Sequence, residues 1–406
     1  MFFRKLALTL AVTTALSASA LACTTVVVGE GATADGSFLV ARAADSSALK
    51  AQHFVIHPAK KNQSGMYRTK DHDGATNFEY PLPKESMRYT TVPNWKTQLH
   101  GAVGFNEAGV GISGTESIFA RDDALKLDPY NEETGITEDD IHDVVLPRAK
   151  TAREGIEILG SIVETIGAGE GFGVVFVDQK EVWYFETGTG HQWMAHRTPK
   201  DTYFASGNQG RLQQYDAKSA DFMASKTLVS WAEKNGFYDP KKDGEFNFSK
   251  AYCRDDARDR VYNDPRVWQI QKLFNPSLEQ KPDEGRTYPV YLKPEKKLTV
   301  DDMKTMLRNH YEGTDHDPYS PSSTATNRGV RSACSARMNP TSCTSVRGCR
   351  RKSAKSPTWA SAWPTSPATF RTTTASNPTR PTTAWARTRP TASRSTGSTA
   401  SSRRSS

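Results

Sequence analysis

The sequence is poor in cysteine and has no long apolar segment after its N-terminus. Five cysteines occur among 406 residues, and only Cys23 and Cys253 precede residue 328. Pairing would disable a cysteine that serves as a nucleophile, so we infer no disulfide framework from these two residues. No internal run approaches the roughly 18 apolar residues that a membrane-spanning helix needs. A disulfide scaffold and an internal membrane span are therefore excluded.

Acidic residues are missing from one part of the chain, residues 328–406. This segment has 15 of the 53 Lys and Arg residues and no Asp or Glu, so residues 1–327 carry 38 basic and 45 acidic side chains. The formal net charge of +8 therefore combines an acidic body of −7 with a tail of +15. The basic average consequently says nothing about the partners of the body.

The tail, residues 328–406, also lacks Leu, Ile and Tyr. Ser, Thr and Pro make up 38 of its 79 residues. Because this composition cannot bury a core, we expect the tail to be disordered. Ala, Arg, Pro, Thr and Ser are also what GC-rich DNA encodes in an incorrect frame, so we hypothesise a frameshift after about Asn327. A nucleic-acid-binding arm is the alternative that charge alone allows.

The first 22 residues have the pattern of a secretory signal peptide. Two basic residues precede an apolar stretch over residues 6–16, and a small-residue stretch ends at Ala22. This pattern is a signal with an A-x-A cleavage site, and its apolar stretch is too short to span a bilayer. We therefore expect a secreted or periplasmic protein whose mature chain begins with Cys23.

A cysteine at the first position after signal removal has three interpretations. Free Cys is often a buried apolar residue. A lipid-anchored Cys usually follows a Leu three residues earlier, where this chain has Ala20. We favour an N-terminal nucleophile, in which the freed α-amine of Cys23 is the general base for its own side chain. An α-amine titrates near ~7.7–8.0 and a thiol near ~8.5, so a nearby cation brings both into range at neutral pH.

Several motifs follow this cysteine in a recognisable order. They cover residues 23–29, 32–37, 41–45, 146–155, 181–187 and 190–193. Together they resemble the cysteine dipeptidases of the N-terminal-nucleophile hydrolase superfamily, which are relatives of penicillin V acylase and bile salt hydrolase. The resemblance covers roughly residues 23–320. It implies an α+β fold of four layers, αββα, with two antiparallel sheets between helices.

Local patterns predict strands that agree with such a fold. A β-branched run over residues 24–28 and an apolar run over residues 37–42 flank an Asp-Gly turn, which predicts a hairpin. A second hairpin is predicted from residues 174–177 and 181–187, on either side of a polar turn. These pairs supply antiparallel strands.

Two helices are predicted from their first residues. Thr151 and Glu154 form a capping-box pattern, and apolar residues follow at helical spacing up to Ile166. Residues 299–302 open a later helix in a similar way. Amphipathic helices beside strand pairs fit the layered fold.

A competing motif overlaps the first predicted strand. Residues 29–34 match the G-x-G-x-x-A form of the dinucleotide fingerprint after a strand. That fingerprint needs a helix starting near Gly31, and the Asp35-Gly36 turn interrupts any such helix. We therefore do not predict a nucleotide site.

The resemblance implies roles for three residues near the new N-terminus. The amine of Cys23 would take the thiol proton, and the thiolate would attack a peptide carbonyl to give an acyl-enzyme that water hydrolyses. Arg42 would lie near the sulfur and favour the thiolate, and Asp45 would accept a hydrogen bond from the α-amine. The alternative for Arg42 and Asp45 is an ordinary surface charge pair.

Three further residues are candidates on the same resemblance. Asn208 is similar to the superfamily asparagine that donates to the oxyanion, with a turn residue as the alternative. Some acylase relatives have a second Asn where this chain has Glu116, and we hypothesise that Glu116 binds the free amino group of a dipeptide. Arg266 resembles a late superfamily arginine near the nucleophile, although three other arginines crowd residues 254–260.

Metal sites are the rival chemistry. His lies beside carboxylates in residues 71–73, 142–143 and 315–317. No H-E-x-x-H motif or paired Cys spacing accompanies them before residue 328, and such clusters are usually solvated loops. We predict neither a metal nor a cofactor.

These patterns predict a signal over residues 1–22, a hydrolase domain over 23–327 that a frameshift truncates, and a tail over 328–406. The predicted function is an exported cysteine dipeptidase acting on dipeptides or short peptides. The alternatives are an amide acylase of the penicillin V or bile salt type, and a non-catalytic protein that is lipid-anchored or binds nucleic acid. We predict no nucleic-acid partner and no stable membrane insertion after signal removal.

Overall fold

The computed structural model of the protein describes residues 23–44, 52–72, 75–94, 97–99, 101–317, 343–347, 358–362 and 370–372. Contacts divide the chain into two units, Met1–Thr373 and Thr374–Ser406, and all described residues lie in the first unit. The predicted signal peptide lies outside the described residues. Within the described part, no helix has the length and apolar character needed to cross a bilayer.

The strands of the described residues are two to seven residues long. In chain order they are β1 (Cys23–Val28), β2 (Leu39–Ala44), β3 (Val55–His57), β4 (Met66–Arg68), β5 (Glu79–Pro81), β6 (Tyr89–Thr91), β7 (Val103–Asn106), β8 (Gly111–Ser117), β9 (Phe172–Val177), β10 (Val182–Thr187), β11 (Trp193–Arg197), β12 (Tyr203–Ser206), β13 (Phe222–Ala224), β14 (Tyr291–Leu292), β15 (Cys343–Arg347), β16 (Thr358–Ala362) and β17 (Phe370–Thr372). One sheet has the order β14-β12-β1-β2, and a larger one has the order β13-β11-β10-β9-β8-β7-β6-β3.

The helices lie mainly between residues 122 and 308. In chain order the α-helices are α1 (Asp122–Leu125), α2 (Ile141–Val145), α3 (Ala152–Thr165), α4 (Leu228–Lys234), α5 (Pro240–Asp243), α6 (Phe248–Tyr252), α7 (Ala257–Tyr262), α8 (Asp264–Phe274) and α9 (Val300–Arg308). Short 3-10 helices span Glu30–Ala32 and Gly285–Thr287.

The two predicted hairpins are confirmed. β1 and β2 are antiparallel, and Thr25 lies opposite Arg42 in their register. β9 and β10 are also antiparallel, with Val177 opposite Val182. Because side chains alternate along a strand, Cys23 and Arg42 lie on the same face of the four-stranded sheet as Val27.

The two predicted helix starts are confirmed as well. The Thr151 side chain accepts a hydrogen bond from the backbone N of Glu154 at the start of α3. The Glu154 carboxylate accepts from the backbone N of Lys150 rather than of Thr151, at 2.7 Å. At the start of α9, Thr299 and Asp302 make both bonds of a capping box. These caps satisfy backbone donors that a helix N-terminus leaves unpaired.

Three clusters of buried apolar side chains join the elements. One cluster joins α2 and α3 to a face of the eight-stranded sheet and includes Ile156 and Phe176. Another contains residues of both sheets, among them Val27 and Val177. A third joins the four-stranded sheet to α8 and α9 and includes Met306. The fold is therefore α+β with antiparallel sheets, as the sequence predicts at that level.

The segment that follows β1 does not form the helix of a dinucleotide site. Only the 3-10 helix Glu30–Ala32 lies between β1 and β2. The backbone then turns at Gly36, whose φ of 73° lies in the left-handed region that glycine adopts freely. The glycines of the motif, Gly29 and Gly31, instead lie against residues 199–201, where a Cβ on either would clash.

Part of the predicted tail has regular structure. β15, β16 and β17 form an antiparallel three-stranded sheet, and β15 contacts β2 and α9. The other residues from 328 onward lie outside the described residues. The frameshift and the domain boundary at residue 327 stay predictions.

Candidate active site

Cys23 lies at the start of β1 and is almost completely buried. Its exposed fraction is 5%. In the register of the hairpin it is opposite Ala44, the last residue of β2. This position brings residues of both neighbouring strands, β2 and β12, close to the thiol and to the backbone nitrogen of Cys23.

Arg42 of β2 contacts the sulfur. Its Nη2 donates to the Sγ of Cys23 at 3.2 Å, and Arg42 is itself 8% exposed. A buried guanidinium at this distance stabilises a thiolate through its charge. Arg42 therefore lies near the sulfur of Cys23, as the resemblance implies.

Gly114 of β8 leaves room for this guanidinium. A Cβ placed on Gly114 would lie 2.7 Å from the Nη1 of Arg42 and would also meet the carbonyl oxygen of Ala102. Atoms cannot approach so closely, so a side chain at this position would displace Arg42. Sequence analysis did not identify Gly114, because no local pattern reveals which strand faces β2.

Asn208 contacts the backbone nitrogen of Cys23. That nitrogen donates to the Oδ1 of Asn208 at 3.0 Å. Asn208 follows β12, which is antiparallel to β1 with Ser206 opposite Thr25. The end of β12 therefore lies at the start of β1, which places Asn208 beside Cys23.

Arg266 of α8 contacts the same two residues from another side. Its Nη1 donates to the carbonyl oxygen of Cys23 at 2.5 Å, and its Nη2 donates to the Oδ1 of Asn208 at 2.9 Å. The guanidinium also lies over the Tyr262 ring, 4.6 Å from its centroid. Since Oδ1 accepts from both Cys23 and Arg266, the amide orientation of Asn208 is fixed.

Neighbouring arginines have carboxylate partners instead. Arg254 pairs with Asp259 at 2.8 Å, and Arg258 pairs with Asp256 at 2.6 Å. Arg260 pairs with Asp264 at 2.9 Å. The geometry therefore selects Arg266 from the four candidates that sequence alone leaves open.

Asn263 is part of this arrangement and was missed by sequence analysis. It is the residue between α7 and α8, and its amide contacts both Asn208 and Arg266. The signal was present in the sequence, because Asn263-Asp264-Pro265 is a typical helix start with Pro in the first turn. That signal predicts a cap but no link to the nucleophile.

Two predicted site residues are not described in full. Asp45 lies outside the described residues. Glu116 lies in β8 opposite Gly173 of β9, past a register shift that begins after Ser113, and its side chain is outside the described part. The roles predicted for Asp45, Glu116 and Asn208 stay predictions.

The other cysteine of the body differs from Cys23. Cys253 is buried, and burial raises the pKa of its thiol well above the ordinary value, with the Glu186 carboxylate adding to the effect. Cys253 is a free thiol. Cys253 therefore has the character of an apolar core residue, whereas Cys23 has a cation at its sulfur.

The His-carboxylate clusters do not converge into a ligand set. His142 is buried in α2, whereas the Asp143 carboxylate accepts a hydrogen bond from the Tyr89 hydroxyl at 2.9 Å. His72 pairs with Asp139 at 2.9 Å. Among the residues that the structure describes, no three His, Cys, Asp or Glu side chains are arranged to hold a metal ion.

The contacts define a class of site, a buried cysteine with two neighbouring guanidinium groups. Arg42 lies at the sulfur of Cys23, and Arg266 lies at its backbone carbonyl oxygen. Such a site is suited to nucleophilic attack, because an anion at the sulfur is stabilised before any substrate binds.

The model of peptidase family C69 matches residues 22–375. The chain therefore belongs to peptidase family C69, and the prediction of a dipeptidase-class enzyme is confirmed at the level of the family.

Individual relatives agree with this assignment. A "Probable dipeptidase" of Salmonella dublin is 53% identical over 302 residues, which cover 74% of this chain and 69% of that protein. A "Probable dipeptidase" of Latilactobacillus sakei is 37% identical over 301 residues, covering 73% of this chain and 62% of the relative. A "Dipeptidase" of Bifidobacterium longum is 34% identical over 328 residues, covering 74% and 60%. The chain thus spans 60% to 69% of the length of these relatives.

Proposed function

We propose that the protein is an exported cysteine dipeptidase whose nucleophile is the N-terminal Cys23. The main support for this proposal is that Cys23 has two contacts, one at its sulfur and one at its backbone nitrogen. Arg42 lies 3.2 Å from the sulfur, and Asn208 lies 3.0 Å from the backbone nitrogen. A freed α-amine at that nitrogen would be held beside the thiol that it has to deprotonate.

The reaction follows from these contacts in two halves. The α-amine takes the thiol proton, and the thiolate attacks the peptide carbonyl of a dipeptide. The carbon–nitrogen bond breaks, the departing amine takes the proton from the α-ammonium, and a thioester remains on Cys23. Water then attacks the thioester and gives one proton to the α-amine. The carbon–sulfur bond breaks, the departing sulfur takes that proton from the α-ammonium, and the acid is released.

The two cations have separate tasks in this proposal. Arg42 stabilises the thiolate before attack. Arg266 and Asn208 hold the backbone of Cys23, so that the amine and the sulfur keep their relative position during both halves of the reaction. Asp45 comes directly after β2 and orients the amine, and Asn208 supplies a donor to the oxyanion.

Glu116 is the residue that we assign to substrate binding. It comes two residues after Gly114, which lies against Arg42. The free amino nitrogen of a dipeptide is one Cα away from the scissile carbonyl carbon, a distance of roughly 2.5 Å, so the group that binds it has to lie close to Cys23. A carboxylate at this place would bind the free amino group that a dipeptide has and an acylase substrate lacks.

The fold and the location complete the proposal. The three apolar clusters support an arrangement of helices, two sheets and helices in four layers, the αββα order of an N-terminal-nucleophile hydrolase. Residues 1–22 direct export, and their removal after Ala22 creates the catalytic amine. The mature enzyme is therefore secreted or periplasmic.

Hydrolysis assays of the processed chain test this function. We expect the chain that begins with Cys23 to hydrolyse a panel of dipeptides, and Cys23→Ala to lose this activity with folding unchanged. The same protein is assayed on penicillin V and on conjugated bile salts. Faster turnover of those acyl amides than of any dipeptide would contradict the proposal, and activity in Cys23→Ala would rule out the nucleophile.

A further inference from the structure

Asn263 is a completely buried asparagine whose side chain makes four hydrogen bonds. Its Oδ1 accepts from the backbone N of Asn208 at 3.0 Å and from the Nη2 of Arg266. Its Nδ2 donates to the carbonyl oxygen of Asn208 at 2.9 Å and to the Oδ1 of Asp259 at 2.6 Å. Two donors and two acceptor sites are all that an amide side chain offers.

Two of these hydrogen bonds join the Asn263 side chain to the backbone of Asn208. Asn263 binds both the N–H and the C=O of Asn208, as a paired strand would, in a loop where no strand is present. The side chain of Asn208 is then aimed at the backbone nitrogen of Cys23. Asn263 therefore acts on Cys23 through one intermediate residue.

The same amide also fixes Arg266. The Nη2 of Arg266 is shared between the Oδ1 of Asn263 and the Oδ1 of Asn208, and its Nη1 reaches the carbonyl oxygen of Cys23. Asn263 precedes Arg266 by three residues at the start of α8, a spacing at which the side chains of a helix are neighbours. Both groups that hold the backbone of Cys23 thus depend on Asn263.

An ion pair anchors Asn263 from the outer side. Asp259, which accepts from Asn263, is buried and also binds Arg254 through two hydrogen bonds of 3.2 and 2.8 Å. A buried bidentate pair of this kind has little rotational freedom. The chain of contacts runs from Arg254 through Asp259 and Asn263 to the site.

We propose that Asn263 is a positioning residue for the N-terminal nucleophile. This inference rests on the proposed function. Asn263 sets the direction of the Asn208 side chain and of the Arg266 guanidinium, and these two groups set the direction in which the amine and the sulfur of Cys23 point. It touches neither the substrate nor the reacting atoms.

The chemistry requires an amide at this position. An aspartate keeps the size but replaces the Nδ2 donor with an oxygen that faces the Asn208 carbonyl and the Asp259 carboxylate. Both contacts would become repulsive, and the loop that contains Asn208 would move away. A shift of about 1 Å near a reacting group lowers turnover roughly 100-fold.

The test compares Asn263→Asp with a matched control, Asn106→Asp. Asn106 is also buried and also makes four hydrogen bonds, to the backbone of Ala108, Val110, Leu146 and Ala149, and it lies at the end of β7 rather than beside Asn208 and Arg266. We expect kcat on a dipeptide to fall roughly 100-fold in Asn263→Asp with KM unchanged, and to stay near the unaltered value in folded Asn106→Asp. Equal losses in both variants would overturn the inference.

A second readout does not depend on turnover. The rate of Cys23 alkylation by iodoacetamide is measured against pH, and Asn263→Asp is expected to shift the midpoint while Asn106→Asp leaves it in place. An unshifted midpoint in Asn263→Asp would overturn the inference even if the unaltered chain hydrolyses dipeptides. An unaltered chain without dipeptidase activity would instead contradict the proposed function. If Asn263→Asp does not fold, Asn263→Ser, which removes the amide without adding charge, is measured in the same way.

Discussion

At the scale of single residues, the site depends on how closely two guanidinium groups approach Cys23. Arg42 reaches the sulfur and Arg266 reaches the carbonyl oxygen, and both are buried. Charges act more strongly in such surroundings than in water. The surroundings of Cys23 therefore favour a negative charge, which the proposed mechanism places first on the thiolate and then on the tetrahedral intermediate.

A substitution at Gly114 of β8 tests the contact between Arg42 and the sulfur of Cys23. In Gly114→Ala the new methyl group would clash with the Ala102 carbonyl oxygen and would lie 2.7 Å from the Arg42 Nη1, so we expect the guanidinium to move away from the sulfur. We expect the second-order rate of Cys23 alkylation at neutral pH to fall roughly 10- to 100-fold, because the thiolate loses its cation.

The control for this prediction is Gly104→Ala on the neighbouring strand β7. A methyl group at Gly104 would also meet a backbone carbonyl, that of Thr90, but it would not contact Arg42. Overpacking costs both variants about 1–3 kcal/mol of stability. If alkylation slows equally in both, the effect of Gly114 is one of general packing and the account of Arg42 is wrong.

At the scale of elements, the site is made by neighbouring strands and one helix. β2 and β12 flank β1, and they bring Arg42 and Asn208 to Cys23. α8 brings Arg266 and, at its start, Asn263. Arg42, Asn208 and Arg266 each make a side-chain contact with Cys23, so Cys23 is held by segments that are far apart in the sequence.

This separation explains what the sequence could and could not predict. The β1–β2 hairpin and the cap of α3 were predictable, because turn residues and capping residues act on their immediate neighbours. The pairing of β1 with β12 joins residues about 180 positions apart and has no local signal. The choice of Arg266 and the contacts of Asn263 follow from that pairing, and therefore needed the structure.

α2 contains His142, whose titration makes the stability of the fold depend on pH. Burial lowers the pKa of His142 to about 4 from 6.5, with Asp143 opposing the effect and Arg42 adding to it. In the unfolded chain this ring binds a proton below about pH 6.5, whereas in the folded chain it does so only near pH 4. The unfolded state therefore binds more protons in this window, and stability falls as pH falls from about 6.5 to about 4.

The size of this effect is about 3 kcal/mol, because one pKa unit corresponds to about 1.4 kcal/mol. We expect the free energy of unfolding, measured by denaturant titration between pH 7 and pH 4, to decrease in the unaltered chain. His142→Gln should be less stable at pH 7 but show a flatter dependence on pH. A slope that is unchanged in His142→Gln would exclude this ring as its source.

At the scale of the whole molecule, the net charge of +8 is the sum of an acidic body and a basic tail. The described site residues belong to the body, whereas the family match covers residues 22–375 and extends into the tail. We keep the frameshift after about residue 327 as a proposal, supported by the absence of Asp, Glu, Leu, Ile and Tyr from residues 328–406. The nucleotide sequence decides it, since an offset frame without apolar periodicity would contradict the proposal.

The central claim concerns the α-amine of Cys23, and one comparison tests it most directly. Two forms of the chain are prepared, one that begins with Cys23 and one that keeps Ala22 before it, and their first residues are verified by intact mass. A general base contributes roughly 10²- to 10⁴-fold to such a reaction. We predict that dipeptide hydrolysis by the form with Ala22 is lower by that factor while its fold is the same. Equal rates in the two forms would contradict the account.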